Sequence, residues 1–158
     1  MKKILLLFVV IFFNNISVTK SQNTLYPLKF KINGLINQEV VLTSYYGDKG
    51  KVVGKTFTNI QGECEFKLDA KSKIGMYKVS SGKDFKIDFI FNNEAIQIES
   101  SIENPIENTK VIVSEENKTY LAFIKIQSVY INKHNQLLGL LDNYPQEDDF
   151  YLKIKEEY

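Results

Sequence analysis

Phe85-Lys86-Ile87-Asp88-Phe89-Ile90-Phe91 is the stretch from which the fold is read. Large apolar side chains at 85, 87, 89 and 91 alternate with Asp84, Lys86 and Asp88. A period of two is the mark of a strand with one face in a core and the other in water. Turn residues bound it on both sides, Ser81-Gly82-Lys83 before and Asn92-Asn93-Glu94 after.

Working outward, the same alternation recurs. Leu28, Phe30 and Ile32 alternate with Lys29, Lys31 and Asn33, and Gly34 and Asn37-Gln38 turn the chain. Val40 to Tyr46 reads as a second strand, rich in β-branched and aromatic residues. Gly47-Asp48-Lys49-Gly50 is hairpin chemistry, because Gly and Asp tolerate positive φ. Val52 to Ile60 returns as a third strand, and Gln61-Gly62 turns again. Cys64, Phe66 and Leu68 face one way while Glu63, Glu65 and Lys67 face the other. Met76–Ser80, Ile96–Ser100 and Lys110–Val113 complete about eight short strands, with Pro105 breaking the run before the last. The expectation is a mainly β chain: a small antiparallel sandwich or open barrel, with consecutive strands paired antiparallel across tight turns.

After residue 113 the period changes. Ser114 can cap a helix, and Glu115-Glu116 suit its positive end. Tyr120, Phe123, Ile124, Tyr130, Ile131, Leu137, Leu138 and Leu141 recur at threes and fours, which predicts one amphipathic helix over roughly 114–141. Asn143 or Tyr144 is expected to cap a second helix with Pro145 at its first position and a stripe of Phe150, Tyr151, Ile154 and Tyr158. The stripe runs off the end of the chain without a stop signal, so the helical part reads as a truncated connector. There are no internal repeats and no low-complexity tract.

The start of the chain points to export. Met1-Lys2-Lys3 is basic, Ile4 to Phe13 is an apolar run too short for the roughly 20 residues a bilayer needs, and Thr19-Lys20-Ser21 offers small residues to a signal peptidase. The reading is a signal peptide over 1–21 cut before Gln22, a β domain over 22–113 and helices over 114–158. The alternative is an uncleaved N-terminal anchor. No Cys lies near the cut, so a lipid-modified N-terminal Cys is not expected. The protein is placed in the periplasm or cell envelope, with no membrane span once the signal is gone.

Composition narrows the chemistry. The 158 residues carry 20 basic and 19 acidic side chains, for a net charge of +1, which gives no electrostatic reason to expect nucleic acid. One Cys and one His allow no intramolecular disulfide, no CxxC and no zinc site built from these two residue types. Gly54-Lys55-Thr56 ends like a phosphate-binding loop, but only three residues separate Gly50 from Gly54 and the segment alternates like a strand. His134 sits between Ile131 and Leu138 on the helix stripe without a nucleophile or an orienting partner in view, so a surface or interface role is expected. Glu147-Asp148-Asp149 lacks the alternating Asp/Asn and Gly of a calcium loop and reads as a helix start. Cys64 is expected in the core as a buried, quenched thiol. Tyr45 and Tyr46 form a candidate binding face, with ordinary strand packing as an equal account. No catalytic, cofactor-binding or metal-ligating residue is assigned.

An ordered set of short motifs adds a resemblance. Phe30-x-Ile-x-Gly34, Val40-x-Leu42, Tyr45-Tyr46-Gly47 with Lys49, Gly62-x-Cys64-x-Phe66, Gly75-Met76-Tyr77, Ile90-Phe91-Asn92-x-Glu94-x-Ile96 and Ser114-Glu115-Glu116-Asn117 with Tyr120 follow one another. Over roughly residues 27 to 120 the chain resembles the uncharacterised β domain at the N-terminus of many exported thioredoxin-like proteins of Bacteroidota. That family usually has an aromatic where Cys64 stands, and the redox domain with its CxxC that commonly follows is absent here. The resemblance implies a neighbourhood of periplasmic thiol–disulfide proteins and brings no catalytic residues. The expected role is a non-catalytic periplasmic accessory or interaction domain whose partner is a thioredoxin-like domain or another envelope protein. The alternative is a stand-alone secreted ligand- or protein-binding β module. An enzyme of unrecognised type is the third reading.

Overall fold

The computed structural model describes residues 24–157, apart from 84 and 142. The expected signal over 1–21, its cut before Gln22, and the terminal Tyr158 lie outside the described residues. Each stretch read as a strand forms one: β1 (Leu25–Asn33), β2 (Glu39–Tyr46), β3 (Lys49–Phe57), β4 (Glu63–Asp69), β5 (Gly75–Ser81), β6 (Phe85–Phe91), β7 (Ile96–Ser101) and β8 (Lys110–Val113). β3 is shifted from the expected Val52–Ile60, because Gly47 and Asp48 alone make the turn and Lys49 and Gly50 already pair with Tyr46 and Tyr45. They make two four-stranded sheets, in the orders β4-β1-β7-β8 and β3-β2-β5-β6. The chain is therefore mainly β, a sandwich and not a barrel, followed by C-terminal helices.

Three pairs of neighbours in sequence, β2–β3, β5–β6 and β7–β8, are antiparallel as expected, while the other neighbours do not pair. Five strand pairs are antiparallel, but β1 lies parallel to β7, with Leu28 opposite Ile96 and Ile32 opposite Ser100. The links β1–β2, β3–β4, β4–β5 and β6–β7 carry the chain from one sheet to the other. A short link can do this because each sheet must lay its apolar face against a second layer. One crossing uses Gly62, whose φ of +75° suits glycine and whose added Cβ would stand 2.2 Å from Ile32 O. There Ile32 N–H donates to Gly62 O at 2.8 Å, which stitches β1 to the turn before β4.

Between the sheets lies one apolar cluster that includes Leu28, Phe30, Ile32, Val40, Leu42, Phe66, Tyr77, Val79, Phe85, Phe89, Phe91 and Ile98. Aromatic rings form its centre: Phe30 meets Phe66 and Phe89, and Tyr77 meets Phe89 and Phe91, at centroid distances of 5.4–6.3 Å. Burying each such ring contributes about 2–3 kcal/mol.

Helical segments flank one open side without closing it. A short turn of helix, α1 (Pro105–Asn108), was not anticipated; Pro105 begins it instead of merely breaking the chain. Helix α2 (Glu115–Leu141) matches the predicted span, and Ser114 Oγ accepts from Asn117 N–H at its start. Helix α3 (Asp149–Glu157) begins later than expected. Asp148 Oδ1 accepts from Phe150 N–H at 2.7 Å, so Asp148 is the cap and Pro145 belongs to the preceding turn. A carboxylate that satisfies a free N–H outweighs the preset φ of a proline that satisfies none.

Candidate functional site

On the side where β6 and β8 are the facing sheet edges, the sandwich does not close on itself. A cleft of about 450 Å³ remains there. Ile87 and Phe89 of β6, Ile98 of β7 and Val111 of β8 line its floor, Tyr120, Leu121 and Ile124 of α2 form its far wall, and Pro105 and Ile106 of α1 with Thr109 bound it as well. Lys83, Lys86 and Asp88 stand among its rim residues. The volume is within the range of ligand sites, roughly 300–1,000 Å³. Burial, and next the charge of Asp88, raise the Tyr120 phenol above its ordinary pKa.

Asn117 fixes the helix against the sheet. Ile90 N–H donates to Asn117 Oδ1, and Asn117 Nδ2 donates to Ile90 O, both at 2.7 Å. The side-chain amide thus satisfies both main-chain groups of one residue on the edge of β6, as an adjoining strand would. Asn117 Nδ2 also meets Ser114 Oγ at 2.8 Å, and Ser114 Oγ donates to Glu94 Oε1. Lys125 Nζ ties α2 to the end of α1 by donating to Glu107 O and Thr109 O. In the sequence Asn117 stands out only as part of the Ser114–Asn117 motif that carries the resemblance. Its place at i, i+3, i+4 and i+7 with Tyr120, Leu121 and Ile124 is the signal that could have marked it as inward-facing.

Tyr45 and Tyr46 do come together, in a shallow basin of about 560 Å³ between the β2–β3 hairpin and the turn before β5. Tyr45 is half-buried and Tyr46 is 83% exposed. The basin also holds Lys49, Lys51, Lys71 and Lys73, a local positive charge that the near-neutral whole chain conceals. Lys78 Nζ lies 4.5 Å from the Tyr45 ring centroid and donates to Tyr45 Oη at 3.0 Å. That hydrogen bond, with the charge of Asp88, raises the Lys78 pKa despite burial that lowers it. Lys73 Nζ stands 5.7 Å from the Tyr46 centroid.

Cys64 points into the core opposite Phe30, as its alternation implied. Burial pushes its thiol up to about 11. Held protonated by burial, it is a poor nucleophile. His134 is exposed on α2. Among the described residues no group of three or more His, Cys, Asp or Glu side chains could hold a metal ion. No helix among them is long and apolar enough to cross a membrane.

The predicted helix stripe divides into parts. Tyr120 and Ile124 are half-buried against the β domain, and Leu137 and Leu141 are half-buried in the half of α2 that ends near α3. Phe123, Tyr130, Ile131 and Leu138 are exposed, Phe123 at 58% and Tyr130 at 69%. Ile126 and Val129, outside the predicted stripe, are exposed as well. In the second helix Ile154 is buried, and the Phe150 ring meets Tyr144 in a tilted contact at 4.8 Å while remaining partly exposed.

No family model matches the chain, and no curated protein matches it. Among solved structures, (S)-allantoin synthase aligns at 15% identity and a TM-score of 0.39, over 58% of this chain and 45% of its own. The 5-hydroxyisourate hydrolase of Klebsiella pneumoniae aligns at 17% identity and a TM-score of 0.38, over 55% of this chain and 99% of its own. The chain spans less than half the length of the first of these. Both neighbours are enzymes, and both likenesses are too distant to bring an activity, a substrate or a residue's role to this chain.

Proposed function

We propose that this protein is a non-catalytic accessory module of the periplasm, which holds a folded partner on the free face of its long helix. The supporting observation is the exposure of Phe123, Ile126 and Tyr130, three large apolar side chains at i, i+3 and i+7 on α2. A helix face of this kind invites association unless something covers it. The resemblance of residues 27 to 120 to a domain that precedes thioredoxin-like domains favours such a domain as the partner. Its placement in the periplasm rests on the basic and apolar start of the chain.

The test is site-specific photocrosslinking in the native envelope, with the crosslinker at Tyr130 or, as a control, at Val52 on β3. The expected product joins Tyr130, and not Val52, to a protein that carries a CxxC. Products from both positions alike, from neither, or only between copies of this chain would overturn the reading. A stand-alone binding module is the second reading, and the lysine-lined Tyr45–Tyr46 basin favours it. Saturable binding of a sulfated polysaccharide, lost in Lys71→Glu and weakened by salt, would support that alternative.

A further inference from the structure

The edge of β6 beside the cleft offers main-chain groups that nothing pairs. Ile90 turns both its N–H and its C=O outward to Asn117. In an antiparallel pair, residues two apart turn their main-chain groups the same way. The β5–β6 register runs without a shift from Gly75–Phe91 to Ser81–Phe85, so Lys86 and Asp88 also face outward. No described residue bonds those groups. They look into the cleft, whose floor is Ile87, Phe89, Ile98 and Val111, and whose walls are α2 on one side and Pro105 and Ile106 of α1 on another, so the guest lies alongside both helices.

We infer that this cleft is a peptide-binding site, in which an extended segment of another protein adds to β6 as a further strand between that edge and α2. Strand addition takes its affinity from main-chain bonds and its specificity from pockets for alternate side chains. Both parts are present. Lys86 and Asp88 supply two donors and two acceptors at strand spacing, and the apolar floor receives every second side chain of the guest. Asn117 already makes at Ile90 the pair of bonds that the guest makes at Asp88 and Lys86, and it stops the guest from running further toward Phe91. The other side chains of the guest lie on the outer face of the sheet. Asp88 stands 3.7 Å from Lys78 there, whereas Lys83 and Lys86 have no ion-pair partner among the described residues. The preferred guest is an extended peptide with alternate apolar residues and an acidic residue toward the Lys83–Lys86 end. This surface is separate from the exposed helix face of the proposed function, and neither proposal needs the other.

The test uses the full chain from Gln22 and a labelled, capped hexapeptide that alternates valine with glutamate or threonine. Two versions are N-methylated on alternate residues, one on each set of amides. Strand addition predicts that one loses about tenfold in affinity, the equivalent of one or two main-chain hydrogen bonds, while the other binds nearly as the parent. Amide shift changes should centre on Phe85–Phe89 and Tyr120–Ile124. Lys86→Pro removes the outward donor at an edge position where proline is tolerated, and should lose binding, while Lys86→Gln keeps most of it. Absence of binding, equal behaviour of the two methylated peptides, or shifts confined to another edge would each overturn the proposal, without reliance on any variant's folding.

Discussion

Cys64 shows how a single side chain reports its surroundings. Its thiol sits opposite Phe30 and burial raises it to about 11. Between an ordinary thiol value near 9 and about 11 the unfolded chain releases this proton and the folded chain keeps it, so stability falls as pH rises through that window. The expected outcome is an alkaline loss on the order of 1–3 kcal/mol, reduced in Cys64→Val, as read by urea unfolding across that range. A thiol reagent should modify Cys64 slowly in the native chain and rapidly in urea. Asn117 is the second telling residue. Asn117→Ala leaves the N–H and C=O of Ile90 without their partner and removes a contact of Ser114. The expected cost is about 1–3 kcal/mol, from groups left unsatisfied. Chemical denaturation would check it, and a cost near zero would mean that water replaces the amide without loss.

Among the elements, α2 serves two purposes. Its first turns anchor to β6 and β8, and the rest leaves the β domain and carries exposed apolar residues. Phe123→Ser and Tyr130→Ser should therefore leave the stability of the isolated chain within about 0.5 kcal/mol, as exposed positions do. A large loss in unfolding experiments would show that the chain itself covers this face. Gly139 lies in the last turn of α2, and a Cβ added there meets nothing within 4 Å. Gly139→Ala should then stabilise by about 0.5–1 kcal/mol through helix propensity alone, seen as higher helicity and a raised Tm.

At the scale of the whole molecule, the proposed export predicts that mature protein recovered from the envelope begins at or near Gln22, and intact mass measures this directly. A retained Met1 would leave the anchor reading in its place. How far the architecture could be read in advance follows from what each signal encodes. Side-chain alternation acts within a strand, so β1, β2, β4, β5, β6 and β7 are legible from Leu28, Val40, Cys64, Met76, Phe85 and Ile96 onward. The period of threes and fours after Ser114 likewise marks α2. A period names the face that is buried but not the strand that lies alongside, because ladder bonds join main-chain groups common to all residues. The parallel match of β1 with β7, the division into two sheets and the uncovered edge at Lys86 and Asp88 are therefore decisions of the tertiary structure. So is the meeting of Tyr45 and Tyr46 with lysines from β3 and the turn before β5, which are neighbours in space and not in the chain. The sequence alone determined which residues seek the core, because burial of an apolar side chain is favourable wherever its strand is placed. Only packing the two sheets together determined which edges stay open, since that depends on how many strands each sheet recruits and where α1 and α2 come to rest.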